Sequence, residues 1–363
     1  MEILEILDEI FEKASSENLP DIHLNTAHYP ILRNKNGEII HLKILENFRE
    51  DIKLFPLQKI DLEAVIKKIV WKNWFEKLEK NMELDSSYKS ITWDTYRVNC
   101  YYDVNWYNIA FRIIPKKIPT LESLWLWDKI KELCSKEKWL ILITGPTGSW
   151  KSTNMAAMID FINKNMKKHI ITIEDPVEFV FKSEKCLINQ REIWNHTFGF
   201  AQAMKSVLRE DPDIIMVWEM RDPETIKAAL TLAETGHLVL STLHTNDSVQ
   251  TIDRIVDIFP SSSQKQIRLQ LAMSLVWIIS QRLLPKADKT GRIAAREILI
   301  NNDATRNLII TGKTHQLYSV LEVWQKQWMI LMDRYLQALY EKWIIEKRVM
   351  LNFARDRESL EML

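Results

Sequence analysis

The sequence predicts an α/β protein with two domains, on the strength of two observations. Beyond residue 120, short apolar runs alternate with helical segments, a pattern typical of a parallel sheet covered by helices on both faces. Before residue 115, helical periodicity and four short strand-like runs indicate a smaller α+β domain. We therefore predict an N-terminal domain over residues 1–114, a linker over 115–120 and a second domain over 121–363.

Hydrophobic periodicity predicts the elements of the first domain. Apolar residues recur with helical spacing over 3–14 and again over 57–78. The strand-like runs are Tyr29–Leu32, Ile39–Leu42, Tyr96–Tyr102 and Ile109–Ile114. Two prolines and two lysines over 115–119 indicate the linker.

Four short apolar runs predict the strands of the second domain. They are Leu140–Thr144, Ile170–Ile173, Ile214–Val217 and His237–Ser241. Helical segments such as Thr197–Arg209 and Pro223–Glu234 lie between them, and the pattern beyond Ser261 is mostly helical.

Charge and cysteine content argue against several classes of protein. Lys plus Arg equal Asp plus Glu at 49 each, whereas nonspecific binding of nucleic acid needs a basic face. Three widely spaced cysteines without a CxxC pair predict a reducing compartment and no metal site. The N-terminal segment lacks the features of a signal peptide, and no long uninterrupted apolar run occurs. We therefore expect a cytoplasmic protein without direct membrane insertion and without a nucleic-acid partner.

A phosphate-binding loop is predicted between an apolar strand and a helix. The motif follows GxxxxGK[ST], with tryptophan at the last glycine, and comprises Gly145, Pro146, Thr147, Gly148, Ser149, Trp150, Lys151, Ser152 and Thr153. Backbone amides of such a loop favour phosphate oxygens at a helix N-terminus. Lys151 would reach the β- and γ-phosphates, and Ser152 would ligate Mg²⁺. The alternative is a chance glycine-containing turn.

Two acidic segments follow predicted strands. Glu174, Asp175 and Glu178 come at the end of the second strand, where one carboxylate could orient or deprotonate an attacking water. The alternative for this segment is a solvated acidic loop. The apolar strand that ends near Glu219 resembles a Walker B element, whose carboxylate serves Mg²⁺ or its water.

Two histidines, His237 and His244, flank the fourth strand. A histidine at a strand tip beside a nucleotide could sense the γ-phosphate or link it to a neighbouring subunit. A structural role is the alternative, and no third ligand at useful spacing supports metal binding.

In this order, the four elements resemble those of the secretion-type ATPase superfamily: phosphate loop, Asp box, Walker B and His box. The resemblance is strongest to the twitching-motility retraction ATPases of the PilT family and covers nearly the whole chain. It is carried by IITIEDPVEFV, CLINQREI, LREDPDIIMVWEMRDPETI, ETGHLVLSTLHTNDSVQTIDRIVDIFP and GKTHQL. DIHL at 21–24 matches a family motif, with Pro20 before it where the family usually has serine. ATRNLI at 304–309 matches a second family motif except at Thr305.

The resemblance implies a PAS-like N-terminal α+β domain and a C-terminal RecA-like P-loop NTPase domain with a helical C-terminal part. It implies ATP and Mg²⁺ as ligands, and a homohexameric motor that powers type IV pilus retraction and twitching motility. Its partner would be an inner-membrane pilus platform protein, which would hold this cytoplasmic protein at the periphery of that membrane.

The resemblance also implies roles for single residues. Glu178 would be the general base and Glu219 the Walker B glutamate, while His237 and His244 would form the His-box pair. Arg97 and Arg112 match arginines that reach an ATP in the neighbouring subunit, for which a forked, permanently charged guanidinium is suited. The alternative for both arginines is an ordinary exposed strand position.

Other functions remain open at this point. Pilus-extension and type II secretion ATPases belong to the same superfamily but usually carry an extra N-terminal domain, and the secretion members a four-cysteine metal motif. A retraction-accessory paralogue, a RecA-like nucleic-acid motor and a catalytically silent ring subunit are further alternatives.

Glycine and tryptophan occur in unusual numbers. Average usage of about 7% would give roughly 25 glycines, whereas the chain has 7 glycines and 14 tryptophans. Aligned with the family, most tryptophans fall where glycine is usual, including Trp139, Trp150 and Trp218; further turn-like or helix-end positions are Trp125, Trp194, Trp324, Trp328 and Trp343. We hypothesise that UGA codons for glycine were read as tryptophan; the alternative is a genuinely tryptophan-rich protein.

Overall fold

The chain forms two compact units. A computed structural model describes residues 3–17, 19–34, 38–42, 55–70, 72–115, 117–124, 128–134, 138–324 and 328–362. The first unit comprises Met1–Lys117, Asp175–Val180 and Arg191–His196; the second comprises Ile118–Glu174, Phe181–Gln190 and Thr197–Leu363. The two short segments of the first unit that lie after residue 170 have no signal in the hydrophobic pattern.

An antiparallel sheet of six strands organises the first unit. Its strands are β1 (Asp21–Asn25), β2 (Ile31–Arg33), β3 (Ile39–His41), β4 (Glu83–Lys89), β5 (Thr95–Asp103) and β6 (Trp106–Ile113). They lie in the order β3-β2-β1-β6-β5-β4. The helices are α1 (Ile3–Ser16), α2 (Lys59–Ile69) and α3 (Lys72–Asn81).

One face of this sheet is packed against α1, and the other carries polar side chains. Phe11 of α1 is fully buried, with ring centroids 4.8 Å from Tyr96 and 5.2 Å from Phe111. Because side chains alternate along a strand, Arg97 and Arg112 lie on the face opposite to these aromatic rings.

A sheet of seven strands organises the second unit. Its strands are β7 (Trp139–Thr144), β8 (His169–Glu174), β9 (Leu187–Glu192), β10 (Ile214–Val217), β11 (Leu238–Leu243), β12 (Leu275–Pro285) and β13 (Arg292–Ile300). The order is β13-β12-β7-β11-β10-β8-β9. The five strands from β12 to β8 are parallel to one another, and β13 is antiparallel to β12.

Eleven helices surround this sheet in the described part of the chain. They are α4 (Asp128–Cys134), α5 (Lys151–Asn165), α6 (Phe200–Val207), α7 (Pro223–Glu234), α8 (Ser248–Asp257), α9 (Ser261–Ser274), α10 (Asp303–Thr311), α11 (Leu317–Val323), α12 (Met332–Glu341), α13 (Lys347–Phe353) and α14 (Arg357–Glu361). Among the residues described, no helix combines the length and apolar character that crossing a membrane requires.

The structure corrects three features of the predicted elements. The helical pattern over 57–78 is two helices, α2 and α3, and β1, β4 and β9 had no predicted counterpart. The mostly helical pattern beyond Ser261 was wrong for β12 and β13. Both strands are buried along nearly their whole length, so their apolar runs lack the alternation that marks a half-buried strand.

Candidate active site

Five parallel strands of the second unit end at one edge of its sheet. The register pairs Thr144 at the end of β7 with Leu243 of β11 and Ser280 of β12. It also pairs Val217 of β10 with Ser241 of β11. The carboxyl edge of a parallel sheet is where α/β proteins bind their ligands. The phosphate loop, the Walker B segment and the His-box loop all leave the sheet at this edge.

The phosphate loop connects β7 to α5 as predicted. Gly145 has φ 149°, and a Cβ atom there would lie 2.3 Å from the backbone oxygen of Gln281, so only glycine fits. Gly148 has φ 73°. Trp150 is the N-cap of α5 with φ 64° and ψ 28°, a left-handed conformation at the position where the motif expects glycine.

Lys151 is buried inside this loop. Its Nζ atom donates hydrogen bonds to the carbonyl oxygens of Gly145 at 2.9 Å and Pro146 at 3.1 Å. It also lies 3.5 Å from Nδ1 of His244, and the Thr147 hydroxyl lies 3.4 Å from the same nitrogen. The loop thus holds its cation at the sheet edge, in contact with the histidine that follows β11.

His244 connects the phosphate loop to the Walker B carboxylate. Its Nε2 atom lies 3.3 Å from Oε2 of Glu219, and Arg221 Nη2 lies 2.8 Å from the same oxygen. Burial, followed by the nearby charge of Lys151, lowers the pKa of His244 below its ordinary value. A neutral imidazole can accept a hydrogen bond at Nδ1 from the phosphate-loop side while its Nε2–H donates to Glu219.

The acidic segment after β8 is divided between the two units. Glu174 is buried at the end of β8, where its Oε1 accepts hydrogen bonds from Thr172 Oγ1 at 2.6 Å and Gln190 Nε2 at 3.0 Å. Asp175 and Glu178 lie in the segment that belongs to the first unit. The general-base role of Glu178 therefore stays a prediction.

His237 lies at the opposite end of β11 from the phosphate loop. Its backbone oxygen accepts from Trp139 N at the start of β7, and its Nδ1 atom is 3.0 Å from the carbonyl oxygen of Leu232. The six residues of β11 separate it from His244, a span of about 20 Å. His237 and His244 thus flank β11 as the sequence indicated, with His237 at the amino edge of the sheet, and the roles expected of the pair stay a prediction.

Arg97 and Arg112 are directly paired across β5 and β6 in the first unit. Arg112 Nε donates to Asp21 Oδ1 at 2.7 Å, and this hydrogen bond raises the pKa of Arg112. Arg97 Nη2 lies 3.9 Å from Asp85 Oδ1. All four residues line a cleft of about 420 Å³. Each guanidinium thus has a carboxylate partner within the cleft, which Glu83 also lines.

Three residues of the second unit contribute to the site without having been predicted. Gln281 and Asn154 are buried beside the phosphate loop, and Arg221 pairs with the Walker B carboxylate. Arg221 stands only two residues after Glu219, so its proximity in sequence was a usable signal. Gln281 lies 136 residues after Gly145 in an apolar strand, and no short motif points to it.

A family model described as type II/IV secretion system protein (T2SSE) matches residues 125–318. This range contains the phosphate loop, the Walker B segment and the His-box loop. The chain belongs to this family. Some type II/IV secretion system proteins match this chain over most of its length.

Two relatives in this family are named for pilus retraction or twitching. The type IV pilus retraction ATPase PilT of Pseudomonas aeruginosa is 40% identical over 341 residues, which cover 94% of this chain and 96% of that protein. A twitching motility protein of Neisseria gonorrhoeae is 46% identical over 282 residues, covering 78% of this chain and 75% of that one.

A solved structure in the same family extends the similarity to three dimensions. The crystal structure of the pilus retraction motor PilT with bound ADP superimposes with a TM-score of 0.87 at 42% identity. The match covers 98% of this chain and 99% of that chain. The mixed α/β fold of this type II/IV secretion system protein is thereby confirmed.

Proposed function

We propose that this protein is an ATP-hydrolysing motor that drives type IV pilus retraction. The observation that carries the proposal is the contact chain at the sheet edge, from Lys151 in the phosphate loop through His244 to Glu219. It joins a phosphate-binding cation to the carboxylate that serves the hydrolytic reaction. The relatives named for pilus retraction support the biological role.

The site suits a nucleotide with Mg²⁺. Ser152 in the first turn of α5 supplies a hydroxyl oxygen and Glu219 a carboxylate, the hard ligands that Mg²⁺ prefers. Among the described residues, no group of three or more His, Cys, Asp or Glu side chains is placed to hold a metal. Mg²⁺ bound with nucleotide phosphates does not require such a group. When bound, the ion would neutralise charge that develops on the phosphates.

The residues of this chain divide the work as follows. Amides of the loop from Gly145 to Ser149 and the Lys151 ammonium bind the phosphates. Glu219 would hold the Mg²⁺ or its water, and neutral His244 orients that carboxylate through Nε2. Glu178, as general base, takes a proton from the attacking water.

Two domains and a ring complete the proposed motor. The first unit is a PAS-like domain and the second a RecA-like ATPase domain with C-terminal helices. Six copies form a ring in which Arg97 and Arg112 of one subunit reach the ATP of the next. Both arginines line one open cleft in the first unit, and in this role phosphate oxygens would replace Asp21 and Asp85 as the partners of their guanidinium groups. His237 acts, in this scheme, away from the nucleotide of its own subunit.

The motor works in the cytoplasm at the inner membrane, where a pilus platform protein receives its mechanical output. Deleting the gene in the source organism tests the direction of the work. We expect cells that retain surface pili but no longer retract them, because retraction and not extension is lost. Cells without pili would indicate an extension ATPase, and unchanged retraction would contradict the proposal.

A biochemical test addresses the reaction itself. The native protein, purified from the source organism, is expected to release phosphate from ATP in a Mg²⁺-dependent manner, and added DNA is expected to leave turnover unchanged. Absence of ATP hydrolysis would favour a silent ring subunit, and DNA stimulation would favour a nucleic-acid motor.

A further inference from the structure

Positive φ angles concentrate at tryptophan in this chain. Among the described residues, eleven non-glycine residues have positive φ, and seven of them are tryptophan: Trp93, Trp106, Trp139, Trp150, Trp194, Trp328 and Trp343. Their φ angles run from 59° to 116°. For a bulky side chain such a value is an outlier, because Cβ collides with the neighbouring backbone.

Packing of the indole rings does not account for this strain. Five of the seven rings are exposed, with Trp93 at 73% and Trp343 at 83%. Lysine ammonium groups lie over some of them, as Lys77 does over Trp194, but exposed contacts of this kind are weak. Trp106 and Trp139, at φ 112° and 116°, lie beyond even the left-handed helical region, which is centred near +57°.

Glycine is the residue that this backbone requires. It adopts positive φ without steric cost, and five of the six glycines that the structure describes do so. Seven positions exchanged from tryptophan to glycine would also bring both counts towards ordinary usage.

We infer that the native polypeptide carries glycine at these seven tryptophan positions, because the source organism reads UGA codons as glycine. At position 150 this restores a glycine N-cap to α5 and removes an indole from the loop that binds phosphate. The inference does not include Trp218 or Trp324, because neither residue has a positive φ angle. Trp125 lies outside the described residues.

Two measurements on native material test the assignment. We expect TGA codons in the gene at all seven positions. We also expect the native tryptic peptide between Lys138 and Lys151, which spans positions 139 and 150, to have the mass of a peptide with two glycines. TGG codons, or tryptophan at either position in that peptide, would overturn the inference.

The conformational basis is testable in recombinant protein. A variant with glycine at all seven positions should unfold at a higher denaturant concentration than the chain with tryptophan. Trp74→Gly with Trp277→Gly serves as the matched control, because both rings are buried and neither residue has positive φ. The control should unfold at a lower denaturant concentration; a seven-glycine variant that is also less stable would count against the assignment.

A second, independent observation concerns Gln281 on β12. Its side chain is fully buried, its Oε1 accepts a hydrogen bond from Asn154 Nδ2 of α5, and its Nε2 donates to the carbonyl oxygen of Ser149. One amide therefore ties the phosphate loop to both the sheet and the following helix.

The bond to Ser149 has a consequence for phosphate binding. The peptide unit between residues 149 and 150 is planar, with its C=O and N–H on opposite sides. When Gln281 holds the Ser149 carbonyl towards β12, the N–H of residue 150 points the other way, away from β12. In that direction it can donate to a phosphate oxygen, as the amides of such loops do.

The geometry points to Gln281 as a positioning residue that sets the phosphate-binding conformation of the loop. This inference rests on the proposed ATP binding. Gln281→Met keeps the side-chain length but removes the donor, and we expect it to raise the KM for ATP about tenfold with a much smaller change in kcat. Asn163→Ala is the matched control, since it removes a buried amide near the other end of α5 that donates to the carbonyl oxygen of Lys182, away from the loop; its KM should stay within about twofold.

A pH profile separates positioning from packing. Gln281→Glu can donate to Ser149 only while its carboxyl group is protonated. We expect its KM to be high at pH 8 and to approach the wild-type value as the pH falls. A wild-type KM for Gln281→Met, an equal rise for Asn163→Ala, or a Gln281→Glu profile parallel to wild type would overturn the inference. Failure of the wild-type protein to bind ATP would instead overturn the proposed function.

Discussion

The Nε2 atom of His244 lies 3.3 Å from Oε2 of Glu219, while the other ring nitrogen of the same histidine faces Lys151. A single neutral imidazole thus spans the gap between the phosphate loop and the Walker B strand. Because the two ring nitrogens have different partners, loss of the ring should disturb the carboxylate more than the binding of ATP.

His244→Ala is therefore expected to lower kcat about 100-fold while changing the KM for ATP much less. His237→Ala is the matched control, because that ring lies at the amino edge of the sheet. We expect the control to leave ATP binding unchanged, as measured by titration with a fluorescent nucleotide. Equal effects of the two substitutions on kcat would contradict the placement of His244.

Glu219→Gln should abolish most hydrolysis but preserve ATP binding. In the proposed reaction this carboxylate is the charged group that would serve Mg²⁺, and loss of such a group typically costs at least about 100-fold in kcat. Glu224→Gln, at an exposed position in the first turn of α7, is the control. Near-normal turnover in Glu219→Gln would show that another carboxylate holds this role.

Lys151→Ala is expected to weaken ATP binding by about tenfold or more, because the ammonium group is the cation of the phosphate loop. Lys164→Ala near the end of the same helix removes an exposed lysine that pairs with Asp160 and should bind ATP normally. Isothermal titration with ATP and Mg²⁺ measures both affinities. Similar affinities of the two variants would argue against the phosphate loop as the binding site.

Shared active sites predict complementation between inactive variants. Arg97→Gln with Arg112→Gln disables the cleft that a subunit offers, while Lys151→Ala disables its own phosphate loop. If adjoining subunits build each site together, mixing the two inactive proteins should restore measurable ATP hydrolysis, because some interfaces regain both parts. Each protein alone is the control, and a mixture as inactive as its components would show that the arginines do not act on a neighbour.

The buried cysteines predict slow alkylation and a loss of stability at high pH. Burial raises the pKa of Cys100 to about 12 and that of Cys134 to about 12, from an ordinary value near 9. A folded-state pKa above the unfolded value means that stability is complete below pH 9 and declines as the pH rises from there towards 12. Native protein at pH 8 should react slowly with iodoacetamide and denatured protein rapidly, as counted by mass spectrometry.

The sequence predicted the parts of the site that lie in contiguous motifs. Gly145, Lys151, Glu219 and His244 each sit directly after a buried strand or at a helix start, so local pattern and spacing were sufficient. The register then brought their strand ends together, as expected of a parallel sheet.

The local sequence pattern does not predict contacts between residues that are far apart in the chain. Gln281 reaches the phosphate loop only because β12 pairs with β7, and the apolar run of β12 was taken for helix. His237 is close to His244 in sequence, but β11 separates the two side chains, so proximity along the chain does not bring them together. Tertiary packing determines which distant strands pair and in which direction each strand runs. Hydrophobic periodicity predicts the type of an element but neither of these properties.

The chain passes between the two units five times. This is because two short segments near the ends of β8 and β9 belong to the first unit, namely Asp175–Val180 and Arg191–His196. Val177, Phe179 and Ile193 in these segments are buried. A fragment cut at residue 118 would keep both segments but lose the body they belong to, leaving these side chains in water. The second unit is consequently not separable by truncation, and limited proteolysis near residue 118 should leave the two pieces held together by these segments.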